Sequence, residues 1–252
     1  MIELKTPGEI QLMRQAGRVV AGLLQHLSAL VRPGIKTKDL DGEAVAYLKR
    51  QGVAPAFLGY RGFPASICVS INEEVVHGIP GTRRICDGDL VSIDAGVIAN
   101  RFYADAAVTL MVGGVAPDAR RLLETTRRAL EEGIRQATVG RRLSDISHAV
   151  QQVVERAGFG VVRDFVGHGI GRALHEDPPI PNFGPANMGP RLRAGMALAI
   201  EPMVTMGDYA VQVLEDGWTA VTQDRSLAAH FEHTVAVTEQ GPEVLTRTEP
   251  RA

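Results

Sequence analysis

Apolar residues recur at helical spacing near the start of the chain, where Ile10, Met13, Val20, Leu24 and Leu27 form one stripe. Thr6, Pro7 and Glu9 come just before it. A capping hydroxyl, a proline at the first helical position and a glutamate three residues after the cap together set a helix start. After Pro33-Gly34 the pattern predicts a second helix over roughly Asp39 to Gln51, closed by Gly52, and then a strand-rich stretch through Val112. Gly113, Gly114 and Pro117 punctuate the chain, and the order begins again. A helix runs from about Asp118 to Gln136, Gly140 makes a turn, a helix runs from about Ser144 to Arg156, and Gly158 leads into more strands.

A shift of 106 residues aligns Gly34 with Gly140, Asp39 with Asp145, Leu40 with Ile146, Leu48 with Val154, Arg50 with Arg156 and Gly52 with Gly158. Glycine is common and helix patterns look alike, but six matches in one register favour an internal duplication over coincidence. Two similar α+β halves, about 1–114 and 115–245, are expected to pack as one domain with a site in the cleft between them.

Composition narrows the class. The 252 residues are 45% hydrophobic and 22% charged, which excludes disordered and fibrous chains, and the mean hydropathy of +0.01 agrees. A formal net charge of -2 offers no broad attraction for nucleic acid or an anionic membrane. Two cysteines, Cys68 and Cys86, cannot staple a domain of this size, so a reducing compartment is expected. Glu3, Lys5, Glu9 and Arg14 occupy the N-terminal stretch where a signal peptide would need an apolar core. The most apolar run, Val19 to Val31, is broken by Gln25, His26 and Ser28. The expected location is the cytoplasm.

The charged positions inside apolar runs carry the chemistry. Asp89 to Gly96 and Phe102 to Val112 read as two strands flanking a turn at Ala99-Asn100. With the turn centred there, paired positions sum to 199, so Val91 faces Val108, Ile93 faces Ala106, and Asp94 falls directly opposite Asp105. Two carboxylates about 5 Å apart repel by roughly 3 kcal/mol at an effective dielectric near 20. Either both reach water, or one stays protonated, or they share a divalent cation, and the hairpin alone leaves these open. Further along stand His168 between glycines, Glu201 at the end of the apolar run Met196 to Ile200, and Glu232 in Phe231-Glu232-His233-Thr234. Each alone reads as a turn residue or a solvated strand end. Four carboxylates and one imidazole together are a set that two adjacent metal ions could share.

The strings that surround these residues are specific. Cys68-Val69-Ser70-Ile71-Asn72-Glu73-Glu74-Val75-Val76-His77-Gly78-Ile79-Pro80, Gly167-His168-Gly169-Ile170-Gly171, Ile200-Glu201-Pro202-Met203, Asp216-Gly217-Trp218 and Glu232-His233-Thr234 resemble the type I methionine aminopeptidases. The resemblance runs from near Thr6 to about Leu245. It implies the α+β pita-bread fold and makes Asp94, Asp105, His168, Glu201 and Glu232 the ligands of two divalent ions: Mn, Fe, Co or Zn. It also implies that a metal-bound hydroxide attacks the scissile carbonyl while Glu201 shuttles the proton. His175 would stabilise the oxyanion, and His77 would contact the substrate backbone.

Tyr60, Phe63, Cys68 and Trp218 match the family's methionine pocket, with Leu174 where a Phe is common and Phe57 where many members have Cys. These two departures bear on the pocket's shape rather than its chemistry. The substrate would be the initiator methionine of nascent polypeptides with a small second residue. The ribosome is a further candidate partner, and a monomer is expected. Xaa-Pro dipeptidases and aminopeptidase P share the ligands but usually carry a large N-terminal domain, for which the catalytic strings here start too early. A type II enzyme would need an inserted subdomain between Glu201 and Glu232, where roughly 30 residues leave no space for it. A catalytically dead binding module is disfavoured by the intact ligand set.

Overall fold

Helix α1 (Pro7–Leu30) begins where its capping residues predict in this computed structural model, which describes residues 1–247. Glu9 Oε2 accepts from the Thr6 amide at 2.8 Å, and the Glu9 amide donates to Thr6 Oγ1 at 3.3 Å. The stripe residues Met13, Val20 and Leu27 are fully buried. Helices α2 (Thr37–Gln51), α3 (Pro117–Gln136) and α4 (Leu143–Arg156) follow. Both α2 and α4 start slightly earlier than predicted. Asp39 and Asp145 cap from inside the first turn, accepting from the amides of Lys36 at 3.2 Å and Arg142 at 2.9 Å.

The 106-residue offset has a backbone counterpart. Gly34 and Gly140 are both left-handed, at φ 91° and 88°. Their amides donate to Ile85 O at 2.8 Å and Leu192 O at 3.0 Å. Gly52 and Gly158, also left-handed, close α2 and α4.

Among the described residues the largest sheet has nine strands. Its central order is Leu90–Ala99, Phe102–Met111, Glu232–Thr238, Ala197–Ile200 and Gly167–Gly169, each antiparallel to the next. Helices α1 and α2 bury their stripes against Val91, Ile93, Ala95 and Val97. Helices α3 and α4 do the same against Leu198, Ile200, Val235 and Val237. Because side chains alternate along a strand, the residues between these point to the other face, away from the helices. Two three-stranded sheets brace the loops on that side: Glu74–Val76 pairs with Ala220–Thr222, and Met203–Thr205 pairs with Ala228–His230.

The hairpin register differs from the sequence expectation by two. Ala99 pairs with Phe102, so positions sum to 201; Asp94 lies opposite Ala107, and Asp105 lies opposite Gly96. The two aspartates are diagonal neighbours, not directly opposed. The reason is the turn itself, in which Asn100 and Arg101 are both left-handed, at φ 51° and 66°, as a two-residue type I′ turn requires. Arginine gives no sequence signal for that conformation. A shift of two keeps every side chain on its face, so the aspartates still share one side of the sheet.

Left-handed backbone costs a non-glycine residue about 1 kcal/mol or more. Arg101→Gly, which makes the favoured Asn-Gly turn, should therefore raise stability by about 0.5 kcal/mol after the entropy cost of glycine. The measurement is a urea midpoint at unchanged slope; a lowered midpoint would show that Arg101 is not strained.

Candidate metal centre and substrate pocket

Five donor side chains reach one cleft from consecutive strands of the sheet. Asp94 is opposite Ala107, and Ala107 is opposite Glu232, so the two carboxylates look across one small residue. Asp105 is one step along the same face, bound to Thr234, whose hydroxyl lies 3.2 Å from Oδ1 and accepts the Asp105 amide at 3.1 Å. His168 is opposite Ala199, and Glu201 follows Ile200, the partner of His233. Alanines and a threonine between the donors keep the strip open.

The distances are those of a shared centre. His168 Nε2 is 3.6 Å from Asp105 Oδ2 and 3.6 Å from Glu201 Oε1. Asp105, His168 and Glu232 each present a donor atom within 4.8 Å of the other two. His168 Nδ1 lies 2.9 Å from Gly169 O, a contact that commits its proton to the carbonyl and turns the Nε2 lone pair inward. The flanking glycines have a steric reason: a Cβ at Gly167 would collide with Ala199 O, and one at Gly169 with Asp177 O.

Burial raises all four carboxyl groups. Asp94 is raised first by desolvation and then by Asp105; Glu201 and Glu232 are raised by desolvation and by the neighbouring carboxylates. Asp105 is pushed up to about 7, again mainly by burial, with the Thr234 contact working the other way. Burial pushes His168 down to about 4, so it supplies no compensating charge. Asp94 Oδ1 is buried without a hydrogen-bond partner. An orphaned carboxylate oxygen, clustered acids and a neutral imidazole with an inward lone pair are the donor set a divalent cation fits; oxygen and nitrogen ligands suit Mn, Fe, Co or Zn.

Beside this strip the cleft has an apolar wall of Phe57, Tyr60, Phe63, Cys68, Leu174 and Trp218. Phe63 meets Trp218 edge-on at 5.1 Å, and burial raises the Cys68 thiol, which stays neutral. Phe57 occupies space that Gly96 leaves open, since a Cβ on Gly96 would strike its ring. Trp218 is set by a turn in which Asp216 Oδ1 accepts from the Trp218 and Thr219 amides at 2.8 Å.

Two further histidines line the cleft beside wall and acids. His77 packs edge-on against Phe165 at 5.3 Å and Trp218 at 6.2 Å. His175 stacks on Tyr60, whose hydroxyl is 2.8 Å from its Nδ1, and its ring centre is 4.2 Å from that of His168. The loop carrying Leu174 and His175 is closed by Glu176, which accepts from the Arg172 and Ala173 amides and from the buried Lys5 Nζ at 2.6 Å. Burial holds both His77 and His175 at about 4.

Every site residue expected from the sequence lines this one cleft. Two neighbours had no sequence signal. Arg61 also lines it, with a left-handed backbone and its guanidinium over Tyr60. His230 lies behind Glu201 at 3.8 Å from Oε2, and burial pushes it down to about 3.

A pita-bread sheet carrying a buried carboxylate–histidine strip defines a metallopeptidase-type site, and comparison with known proteins agrees. The profile of metallopeptidase family M24 matches residues 11–239. "Methionine aminopeptidase 1" of Bacillus subtilis (strain 168) is 53% identical over 247 residues, covering 98% of this chain and all of that protein. The methionine aminopeptidase of Clostridium perfringens is 53% identical over 98% of this chain and 99% of its own. The crystal structure of methionine aminopeptidase from Thermotoga maritima superposes with a TM-score of 0.97 at 49% identity, covering 98% of this chain and all of that one. The prolidase from Pyrococcus horikoshii OT3, 20% identical with a TM-score of 0.78, shares the fold; the alignment covers 98% of this chain and 64% of that one. The chain belongs to metallopeptidase family M24 and, within it, to the methionine aminopeptidases. Among the described residues no helix is long and apolar enough to cross a membrane.

The buried groups make a pH prediction. His77, His168 and His175 have folded values near 4, below about 6.5 when unfolded, so their contribution to stability is lost as pH falls through that window. The four carboxyls have raised folded values, so theirs is lost as pH rises. The two effects oppose each other up to about pH 6.5, and above that only the carboxyls act. Metal-stripped protein should therefore lose melting temperature between about pH 6.5 and 8, and saturating Mn(II) should remove the slope. Calorimetry at several pH values tests this; a Mn(II) gain independent of pH would contradict it.

Proposed function

We propose that the chain removes the initiator methionine from nascent polypeptides whose second residue is small, using two divalent ions held by Asp94, Asp105, His168, Glu201 and Glu232. The observation that carries this reading is the junction of the acidic strip with the Phe63–Trp218–Cys68 wall in a single cleft. A free amine and its carbonyl can meet the strip while an unbranched thioether side chain meets the wall. The ions, when bound, supply Lewis acidity and lower the pKa of a water molecule toward neutrality.

The remaining work falls to the chain's own groups. Glu201, partly open to the cleft, takes the proton and delivers it to the leaving amine. His175 is held by Tyr60; with the Tyr60 hydroxyl donating to Nδ1, Nε2 carries the proton and donates to the oxygen that becomes an oxyanion. His77, a neutral ring against Trp218, is suited to bonding the substrate backbone next to the cleaved bond. Leu174 and Phe57 shape the pocket. The two halves, about 1–114 and 115–245, act as one unit around the cleft, in a cytoplasmic monomer that meets nascent chains, with the ribosome a further partner.

Metal-stripped protein assayed with Met-Ala-Ser, Met-Leu, Leu-Ala-Ser and Ala-Pro peptides, adding back each metal in turn, tests the reading. Methionine should be released from Met-Ala-Ser only after metal addition. Comparable rates on Met-Leu, or efficient cleavage of Leu-Ala-Ser or Ala-Pro, would overturn it.

The histidines separate chemistry from metal binding. His175→Ala should lower kcat about 100-fold with metal content unchanged, because its contact is stronger in the transition state. His168→Ala should lose metal and activity together. Steady-state assays beside metal analysis check both; full kcat in His175→Ala would shift the oxyanion role to His77.

A further inference from the structure

His230 has no part in the mechanism above, yet it sits against it. Its side chain is 2% exposed, and its Nε2 is buried with no hydrogen-bond partner. That atom lies 3.8 Å from Glu201 Oε2. The backbone beneath the ring is pinned: the His230 amide donates to Thr109 Oγ1 at 2.8 Å, the same hydroxyl is 2.7 Å from His230 O, and His230 is in register opposite Met203.

The two oxygens of Glu201 face different imidazoles. Oε1 is 3.6 Å from His168 Nε2, and Oε2 faces His230. His168 Nδ1 is committed to Gly169 O, so its Nε2 is an acceptor and cannot donate to Glu201. His230 is then the imidazole able to donate to this carboxylate. The Glu201 backbone is held separately, its carbonyl accepting from Asn182 Nδ2 at 3.0 Å.

We propose that His230 is a positioning residue: its Nε2–H donates to Oε2 of the ionised Glu201 and fixes the carboxylate so that Oε1 faces the metal strip. The separation is 3.8 Å, and a small rotation of the Glu201 side chain brings the two atoms to hydrogen-bond distance. A buried imidazole nitrogen without a partner is costly, and this contact removes that cost. The inference rests on the function proposed above, in which Glu201 is both ligand and proton carrier.

The test compares His230→Leu, which fills the space without a donor, with His230→Gln, whose amide N–H reaches a similar point. The Leu variant should lower kcat on Met-Ala-Ser by about 10-fold or more with KM little changed, and weaken Mn(II) binding in calorimetry by about 10-fold. The Gln variant should recover both. A ¹H–¹⁵N correlation of the wild-type imidazole, metal-free and with Zn(II), should show Nε2 protonated, and its signal should move in Glu201→Gln. This measurement and the Gln variant decide the question even where the Leu variant does not fold. Wild-type behaviour in the Leu variant, a Gln variant as impaired as Leu, or an unprotonated Nε2 would overturn the assignment. If wild-type protein released no methionine while the Mn(II) pattern and ring signal held, the proposed function would fail and the His230 assignment would stand.

Discussion

Mutual repulsion and desolvation of four carboxyl groups on one face of a sheet is the constraint around which this fold is arranged. Burial pushes Asp94, Asp105, Glu201 and Glu232 toward their protonated forms, and the neighbouring carboxylates push Asp94, Glu201 and Glu232 further the same way. Asp105 and Glu232 present donor atoms within 4.8 Å of each other; two charges that close repel by roughly 3 kcal/mol at an effective dielectric near 20, a sizeable part of a typical domain's net stability. The surrounding scaffold has to be rigid enough to hold that arrangement.

Rigidity comes from the opposite face. Each half of the sheet is covered by a helix pair, α1 with α2 and α3 with α4, whose stripes bury against the alternate residues of the strands that carry the donors. Four of the donors therefore sit on strands and Glu201 directly follows one, so their spacing follows the pleat. Where the backbone has to come close, glycine is present: Gly167 and Gly169 let the His168 strand lie against Ala199 and Asp177. The glycines around His168 are thus packing requirements as much as signs of a turn.

The apolar wall is built differently. Trp218, His77, Leu174 and His175 come from turns and loops, each fixed by a local polar device: Asp216 beneath Trp218, the Glu176–Lys5 pair beside His175, and the strand pairing of Val76 with Ala220 beside His77. Strands hold the charges, and tethered loops carry much of the remaining cleft lining, the division expected where binding residues are positioned by a rigid scaffold.

Features that depend on near neighbours are legible in the order of residues alone. The helix starts at Thr6 and near Asp39, Asp118 and Ser144, the left-handed glycines at 34, 52, 140 and 158, and the 106-residue offset are all local in origin. Even with a register off by two, Asp94 and Asp105 were legible as one pair, because the period of two returns side chains to the same face. The specific strings around Cys68, His168, Glu201 and Glu232 carried the class of protein. The rest depends on contacts between segments distant in the chain. The fold set the Asn100-Arg101 turn, since nothing local predicts a left-handed arginine, and the fit of Phe57 into the space left by Gly96. It also brought His230 behind Glu201. Two positions from Glu232 in the chain, that imidazole carries no periodic or motif signal, and its meaning comes from a carboxylate supplied by a different strand.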